Sequence, residues 1–213
     1  MKNADALDFF RNMARKQDFN VNSVKLAHNS DYTHIDAEFI LKYANASSSI
    51  LDIGSGTGLI INKIYDKVKS IECVEPFKKF SDFITESLNI TINNSNIFDF
   101  KTSKIFDVIT LFGIMPYFSE EEAVSIYKKC YALLKKEGTI IIKNQFCVKD
   151  TVEVAGYSEE NKADYYSQYR SIAKETDILT NIGFQDIKVY DIYPKEANRW
   201  DNTHFYALVA TKS

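Results

Sequence analysis

The stretch Ile50-Leu51-Asp52-Ile53-Gly54-Ser55-Gly56-Thr57-Gly58-Leu59-Ile60 constrains the fold more than any other part of the chain. An apolar strand runs into an acidic residue, three alternating glycines make a turn, and an amphipathic helix begins. Gly54 and Gly56 lack a Cβ and tolerate positive φ, so the backbone there can lie directly against a ligand. The next apolar segment, Ser70-Ile71-Glu72-Cys73-Val74-Glu75, ends in a carboxylate. It falls roughly 20 residues beyond the turn, where nucleoside-binding doubly wound sheets place an acid on the ribose hydroxyls.

Glycine spacing separates two ligand classes. The dinucleotide fingerprint is G-x-G-x-x-G, with a pyrophosphate on the helix N-terminus. Here the order is G-x-G-x-G, preceded by Asp52, whose carboxylate repels a pyrophosphate and suits a ligand carrying an ammonium group. The run resembles motif I, D/E-x-G-x-G-x-G, of the class I S-adenosylmethionine-dependent methyltransferases. The resemblance implies S-adenosylmethionine as cofactor, with its methionine part over Asp52, Gly54, Ser55 and Gly56. It also implies the ribose on Glu75, exposed at the strand tip by the following Pro76. Asn96-Ile97 matches the adenine-facing position of the family, with an amide in place of the common acid, and Asp99 is its rival. Leu111-Phe112-Gly113 resembles the segment that leaves the fourth strand beneath the cofactor. The Asn/Asp-Pro-Pro-Tyr tetrapeptide of base and amide nitrogen methylators is missing, which counts against DNA-adenine or glutamine methylation. Tyr32, before a helix for which Thr33 is an expected N-cap, is either a lid over the methionine end or an anchor for that helix.

Apolar strands and amphipathic helices alternate after residue 48. Strands are expected near 49–53, 69–75, 90–95, 105–111, 138–145, 184–192 and 203–211, and helices near 57–66, 77–88, 120–135 and 168–182. Gly138 and Gly183 are expected to close the last two helices. Such alternation predicts an α/β fold, a Rossmann-like sheet of seven strands, mostly parallel, with helices on both faces. Residues 193–202 carry no helical pattern, so the last strand should run antiparallel. The whole of 1–213 reads as a single domain: a helical cap over 1–46, with helices near 4–17 and 33–46, a cofactor-binding core over 47–145, and an insert at 146–170. That insert and the 193–206 loop are expected to shape the substrate pocket.

Composition narrows the function classes. The chain has 213 residues, 45% hydrophobic and 26% charged, and can bury a core unaided. A net charge of −3 gives no electrostatic footprint for nucleic acid. No apolar run is long enough to span a membrane, and residues 1–20 are too polar for a secretory leader. Cys73, Cys130 and Cys147 form no C-x-x-C pair and read as reduced thiols in a cytoplasmic protein. No carboxylate cluster invites a metal.

Substrate identity should reside in the last third. Tyr166, Tyr169 and Arg170 in the insert, Asn144 at the end of the fifth strand and Arg199 in the late loop are the candidate acceptor contacts. Tyrosines supply stiff walls, and arginine can grip phosphate or carboxylate with two parallel hydrogen bonds. The expected acceptor is a polar small molecule, a sugar or a phosphorylated or nucleotide-activated metabolite. Methylation at a hydroxyl is the leading reading. A small amine or amino sugar, and a non-catalytic regulatory subunit, are the alternatives. An alcohol profits from a base; His204 is the first candidate, with His28 and His34 as alternatives.

Overall fold

A computed structural model describes residues 2–23, 31–159, 162–198 and 201–213. In chain order the elements are α1 (Lys2–Ala14), α2 (Thr33–Ile40), β1 (Ser49–Ile53), α3 (Ile61–Ile64), β2 (Ser70–Val74), α4 (Lys78–Ser81), β3 (Ile90–Asn93) and β4 (Phe106–Phe112). There follow α5 (Glu120–Leu133), β5 (Leu134–Cys147), β6 (Val152–Ser158), β7 (Ala163–Tyr169), α6 (Ile172–Ile182), β8 (Phe184–Tyr190) and β9 (Thr203–Lys212).

Seven strands form one sheet in the order β3-β2-β1-β4-β5-β9-β8. β3 through β5 run parallel, while β9 lies antiparallel between β5 and β8. The expected architecture is therefore the one observed. The chain starts in the middle at β1, steps outward to β3, then crosses back to β4. The carboxyl ends of β1 and β4 thus flank a topological switch point, where open α/β sheets leave a crevice for a ligand.

Strand periodicity sends alternate residues to opposite faces, and both faces are covered. Leu51, Ile53, Ile109, Leu111, Ile140 and Ile142 pack with Ala123, Ile126 and Tyr127 of α5 and Ile178 and Leu179 of α6. Ile50, Ile71, Val108, Ile141 and Val209 pack with Ala37, Phe39 and Ile40 of α2 and Ile61 and Ile64 of α3.

Several local expectations are corrected. The helix expected over 77–88 stops at Ser81, because the Asn62 amide donates to Phe83 O and accepts from Thr85 N–H, holding that backbone out of the helix. Tyr32, not Thr33, stands at the N-cap of α2. At the end of α5 the left-handed residue is Glu137 (φ 62°), not Gly138. Gly138 is required for space instead: a Cβ there would lie 2.9 Å from Lys135 O and 3.2 Å from Asp107 O. Gly183 does close α6 in the left-handed region, at φ 113°.

The largest difference is the insert. Residues 152–158 and 163–169 form an antiparallel hairpin, β6–β7, so α6 begins at Ile172 and not near 168. The hairpin carries α1: the Phe9 and Tyr165 rings meet edge-on at 5.3 Å, and Asn12 Nδ2 donates to Lys162 O at 3.1 Å. Phe10 in turn packs edge-on against Tyr117 and Phe80. The first helix is thereby held across the carboxyl end of the sheet.

Candidate active site

After β1 the chain turns through Gly54, Gly56 and Gly58 at φ 78°, 53° and 75°. Gly54 N–H donates to Val74 O at 2.8 Å and Gly58 N–H to Ser55 O at 2.9 Å, which ties the loop to β2 and closes the turn. A Cβ on Gly54 would meet Ile114 Cγ2 at 2.4 Å, so the loop and the segment after β4 touch backbone to side chain. Asp52 is buried beneath the turn and accepts from Thr110 Oγ1 at 2.6 Å, and burial raises its carboxyl above the ordinary range. Thr57 Oγ1 donates to Val21 O at 2.6 Å and so fastens the incoming N-terminal segment above the loop.

Glu75 is also buried. Its Oε2 accepts from Gly56 N–H and its Oε1 from Phe77 N–H, each at 2.9 Å. Each carboxylate oxygen has a second lone pair, so two acceptors remain side by side for a diol. Burial pushes the Glu75 carboxyl up to about 7 against the pull of those two N–H groups. The sign follows from proton linkage. The folded chain holds this proton more tightly than the unfolded chain, so the site costs stability progressively as pH rises from the ordinary carboxylate range to about 7, and no further above it. Only the carboxylate accepts from both hydroxyls of a ribose. Affinity for S-adenosylhomocysteine, measured by calorimetry, should therefore fall up to tenfold per unit as pH drops below about 7. Glu75→Gln should bind more weakly and lose that dependence; a flat wild-type profile would separate Glu75 from the sugar.

A cavity of about 320 Å³ opens at the switch point. Asp52, Gly54, Ser55, Gly56, Glu75, Pro76, Asn96, Ile97 and Phe112 all line it, so most of the residues singled out for the cofactor meet in one place. Ala6, Leu7 and Phe10 of α1 roof it, and Ile114, Tyr117 and Phe118 close its side. Asn96 is at the wall, its Oδ1 accepting from Phe98 N–H at 2.9 Å with one lone pair left, whereas Asp99 is exposed and does not line the cavity. Two expected contacts are displaced. Leu111 is buried in the core beside Ile53, and Tyr32 packs on Tyr193, with ring centroids 5.0 Å apart; neither lines the cavity.

On the β5 side the cavity ends in a charged pair that sequence reasoning missed. Lys143 and Asp36 both line it. Lys143 Nζ lies 3.1 Å from Asp36 Oδ2 and donates to Tyr193 Oη at 2.8 Å, while Tyr193 Oη donates to Asp36 Oδ2 at 2.6 Å. The ammonium sits over the rings of Phe112, Tyr193 and Phe205 at 5.4, 4.6 and 5.7 Å from their centroids. Burial, and then the Asp36 carboxylate, raise the Tyr193 phenol far above its ordinary value, so it stays protonated. A signal for this pair existed: a lysine directly after Ile140-Ile141-Ile142, inside a buried strand, demands a buried partner.

The residues proposed for acceptor binding and catalysis are placed elsewhere. Arg170 is buried, and all five of its N–H groups are occupied within the protein. Nε donates to Glu175 Oε2 at 2.6 Å; the terminal nitrogens donate to Phe118 O, Gln168 Oε1, Met115 O and Glu175 Oε1. It has no donor left for a substrate. Tyr166 and Tyr169 are buried in the hairpin, Tyr166 donating to Glu153, and neither lines the cavity. Asn144 is buried with both amide atoms unpartnered, on the sheet face opposite Lys143 and away from the cavity wall. His204 shares that opposite face, across from Phe146. Its Nε2 lies 2.7 Å from Asp191 Oδ1 and its Nδ1 2.5 Å from Asn198 Nδ2, so strand alternation turns the proposed base away from the cavity and both ring nitrogens are engaged. His34 Nδ1 contacts Asp31 O. Arg199 and His28 lie outside the described residues.

Residues 50–138 match the family model of a methyltransferase domain. With the sheet order and the loop geometry, this gives the chain a methyltransferase domain at residues 50–138, carried on a Rossmann-like sheet. An uncharacterized methyltransferase of Staphylococcus carnosus is 20% identical over 188 residues, spanning 83% of this chain and 89% of its own. Among solved structures, a SAM-dependent methyltransferase of Leishmania major superposes with a TM-score of 0.73 at 16% identity, over 96% of this chain and 83% of that one. The N-methyltransferase NodS of Bradyrhizobium japonicum, solved with S-adenosyl-L-homocysteine, gives 0.67 at 13% identity over 98% of both. The residues fit the cofactor: a glycine turn at positive φ lining the cavity, a buried carboxylate whose oxygens each keep a second lone pair, and apolar Ile97 at the wall. Among the described residues no group of three His, Cys, Asp or Glu is placed to hold a metal, and no helix is long and apolar enough to cross a membrane.

Proposed function

We propose that this chain is a class I S-adenosylmethionine-dependent methyltransferase that acts on a polar small molecule at a hydroxyl group, inside the cavity roofed by α1. The observation that carries this reading is the size and lining of the cavity. Ala6, Leu7 and Phe10 of α1 and Tyr117 and Phe118 line a cavity of about 320 Å³, a size that suits a small molecule. The net charge of −3 points the same way. Buried, unpaired Cys73, Cys130 and Cys147 suit a reducing, cytoplasmic setting.

The bound cofactor supplies a methyl group on a positively charged sulfur, already activated as a leaving group. The chain has the remaining tasks of holding, aligning and drying. Gly54 and Gly56 cradle the methionine part, Glu75 holds the ribose diol, and Asn96 with Ile97 borders the adenine. Strand order then decides the acceptor side. If Glu75 at the end of β2 holds the sugar, the acceptor would be held on the β4–β5 side, where Phe112, Ile114, Asp36 and Lys143 form the wall. Positioning the nucleophile about 3 Å from the methyl carbon and excluding water contributes most of the rate. A second reading, an amine acceptor, draws support from the Asp36 carboxylate at that end and from the N-methyltransferase name of NodS.

Incubation with methyl-labelled S-adenosylmethionine and panels of small alcohols, small amines, total RNA and protein should give label transfer in the alcohol panel. Transfer confined to the macromolecules would overturn the proposal.

A further inference from the structure

The N-terminal segment that roofs the cavity has a packing centre of its own. Phe9, Met13 and Phe19 form a hydrophobic cluster with Phe80 and Ala163, against which Phe10, Phe77 and Tyr165 pack. None of these residues belongs to the seven-stranded sheet. Three contacts clip the segment to the cavity instead, each on a different wall. Phe10 meets Tyr117 edge-on at 5.0 Å, in the turn after β4. Phe19 stacks on Phe80 of α4, after β2, at 4.9 Å. Thr57, in the glycine loop after β1, donates from Oγ1 to Val21 O at 2.6 Å. Tyr117, Phe80 and Thr57 all line the cavity. Two of the clips are ring contacts, and the third is a directed hydrogen bond. Thr57 is 1% exposed, so no bulk water can replace Val21 O as its partner while the segment is in place.

We propose that Thr57 is a positioning residue of the methyl-transfer site: its hydroxyl latches the N-terminal roof to the glycine loop, so that filling the cavity and closing the roof stabilise one another. The proposal rests on reading the cavity as the cofactor site. A ligand seated there borders segments that leave β1, β2 and β4, and each of these carries one clip of the roof. Holding those segments still holds the roof shut. By linkage, a shut roof holds the ligand more tightly to the same extent. Thr57 acts through Val21 and the roof, not on the reacting atoms. Closure beneath Ala6, Leu7 and Phe10 keeps water away from the methyl group in transfer.

Amide hydrogen exchange of the full chain reads the roof and the sheet separately. Saturating S-adenosylhomocysteine should slow exchange in residues 2–23 of wild type at least tenfold. Thr57→Val removes the donor and keeps the branched shape. Without ligand it should speed exchange in residues 2–23 by about threefold to tenfold, the worth of one net hydrogen bond. The dissociation rate of S-adenosylhomocysteine, followed by stopped flow, should rise by a similar factor. Thr57→Ser restores the donor and should bring both readings back to within twofold of wild type. Thr57→Ala gives the same test if valine is not accommodated. Exchange that quickens in the sheet strands but not in the roof would assign the bond to global stability alone and overturn the proposal. So would a roof whose exchange ignores S-adenosylhomocysteine, or a serine variant that behaves as valine does. Failure of wild type to bind S-adenosylhomocysteine at all would instead bring down the reading of the cavity, and exchange in the unliganded variants would still decide the latch.

Discussion

Replacing Arg170 by methionine should lower stability by about 3–5 kcal/mol, the usual cost of removing one partner from a buried ion pair. The change strands Glu175, which is fully buried in α6 and also accepts from Tyr127 Oη. It frees two carbonyls as well, Met115 O and Phe118 O, which hold the segment after β4 in place. For a chain of this size the melting temperature should fall on the order of 10 °C. Because that segment carries Ile114, Tyr117 and Phe118 into the cavity wall, affinity for S-adenosylhomocysteine should weaken alongside. Removing the charges together, Arg170→Met with Glu175→Leu, should recover much of the stability, since no lone buried charge then remains. A single variant as stable as wild type would show that the network does not fasten the loop.

Gly54→Ala should reduce affinity for S-adenosylhomocysteine at least 100-fold, about 2.8 kcal/mol. Two effects add. At φ 78° an alanine in the left-handed region costs roughly 1–2 kcal/mol. Its methyl would also stand 2.4 Å from Ile114 Cγ2, so either the loop or the cavity wall must move. Adding Ile114→Ala removes the collision but not the backbone strain, and should restore only part of the loss. Calorimetry on the two variants, with melting curves as a check on folding, separates the contributions. Affinity within threefold of wild type in the single variant would mean that the turn does not cradle the ligand.

How far local sequence reaches is visible in the insert. Residues 152–158 and 163–169, rich in valine and tyrosine, fold as a hairpin, yet Tyr166 and Tyr169 suggested a substrate wall. Their side chains are instead divided between the hairpin interior and the packing of α1, a division that depends on a helix more than a hundred residues earlier in the chain. His204 failed for a similar reason. Its place at the start of the last strand was correctly expected, but the face it occupies follows from register with β5, where it lies across from Phe146 and turns to Asp191.

Sequence by itself determined the sheet, its reversed last strand, and the glycine turn with a carboxylate beside it. These depend on interactions close along the chain: strand periodicity, a glycine turn that needs positive φ, and a carboxylate at the tip of the next strand. Tertiary structure alone built the charged group on the β5 side of the cavity. Asp36, Lys143 and Tyr193 come from a helix before the sheet, its fifth strand and a late loop, and no spacing rule links them. Their meeting is set by how α2 packs across the sheet, and only there does a buried lysine find its carboxylate.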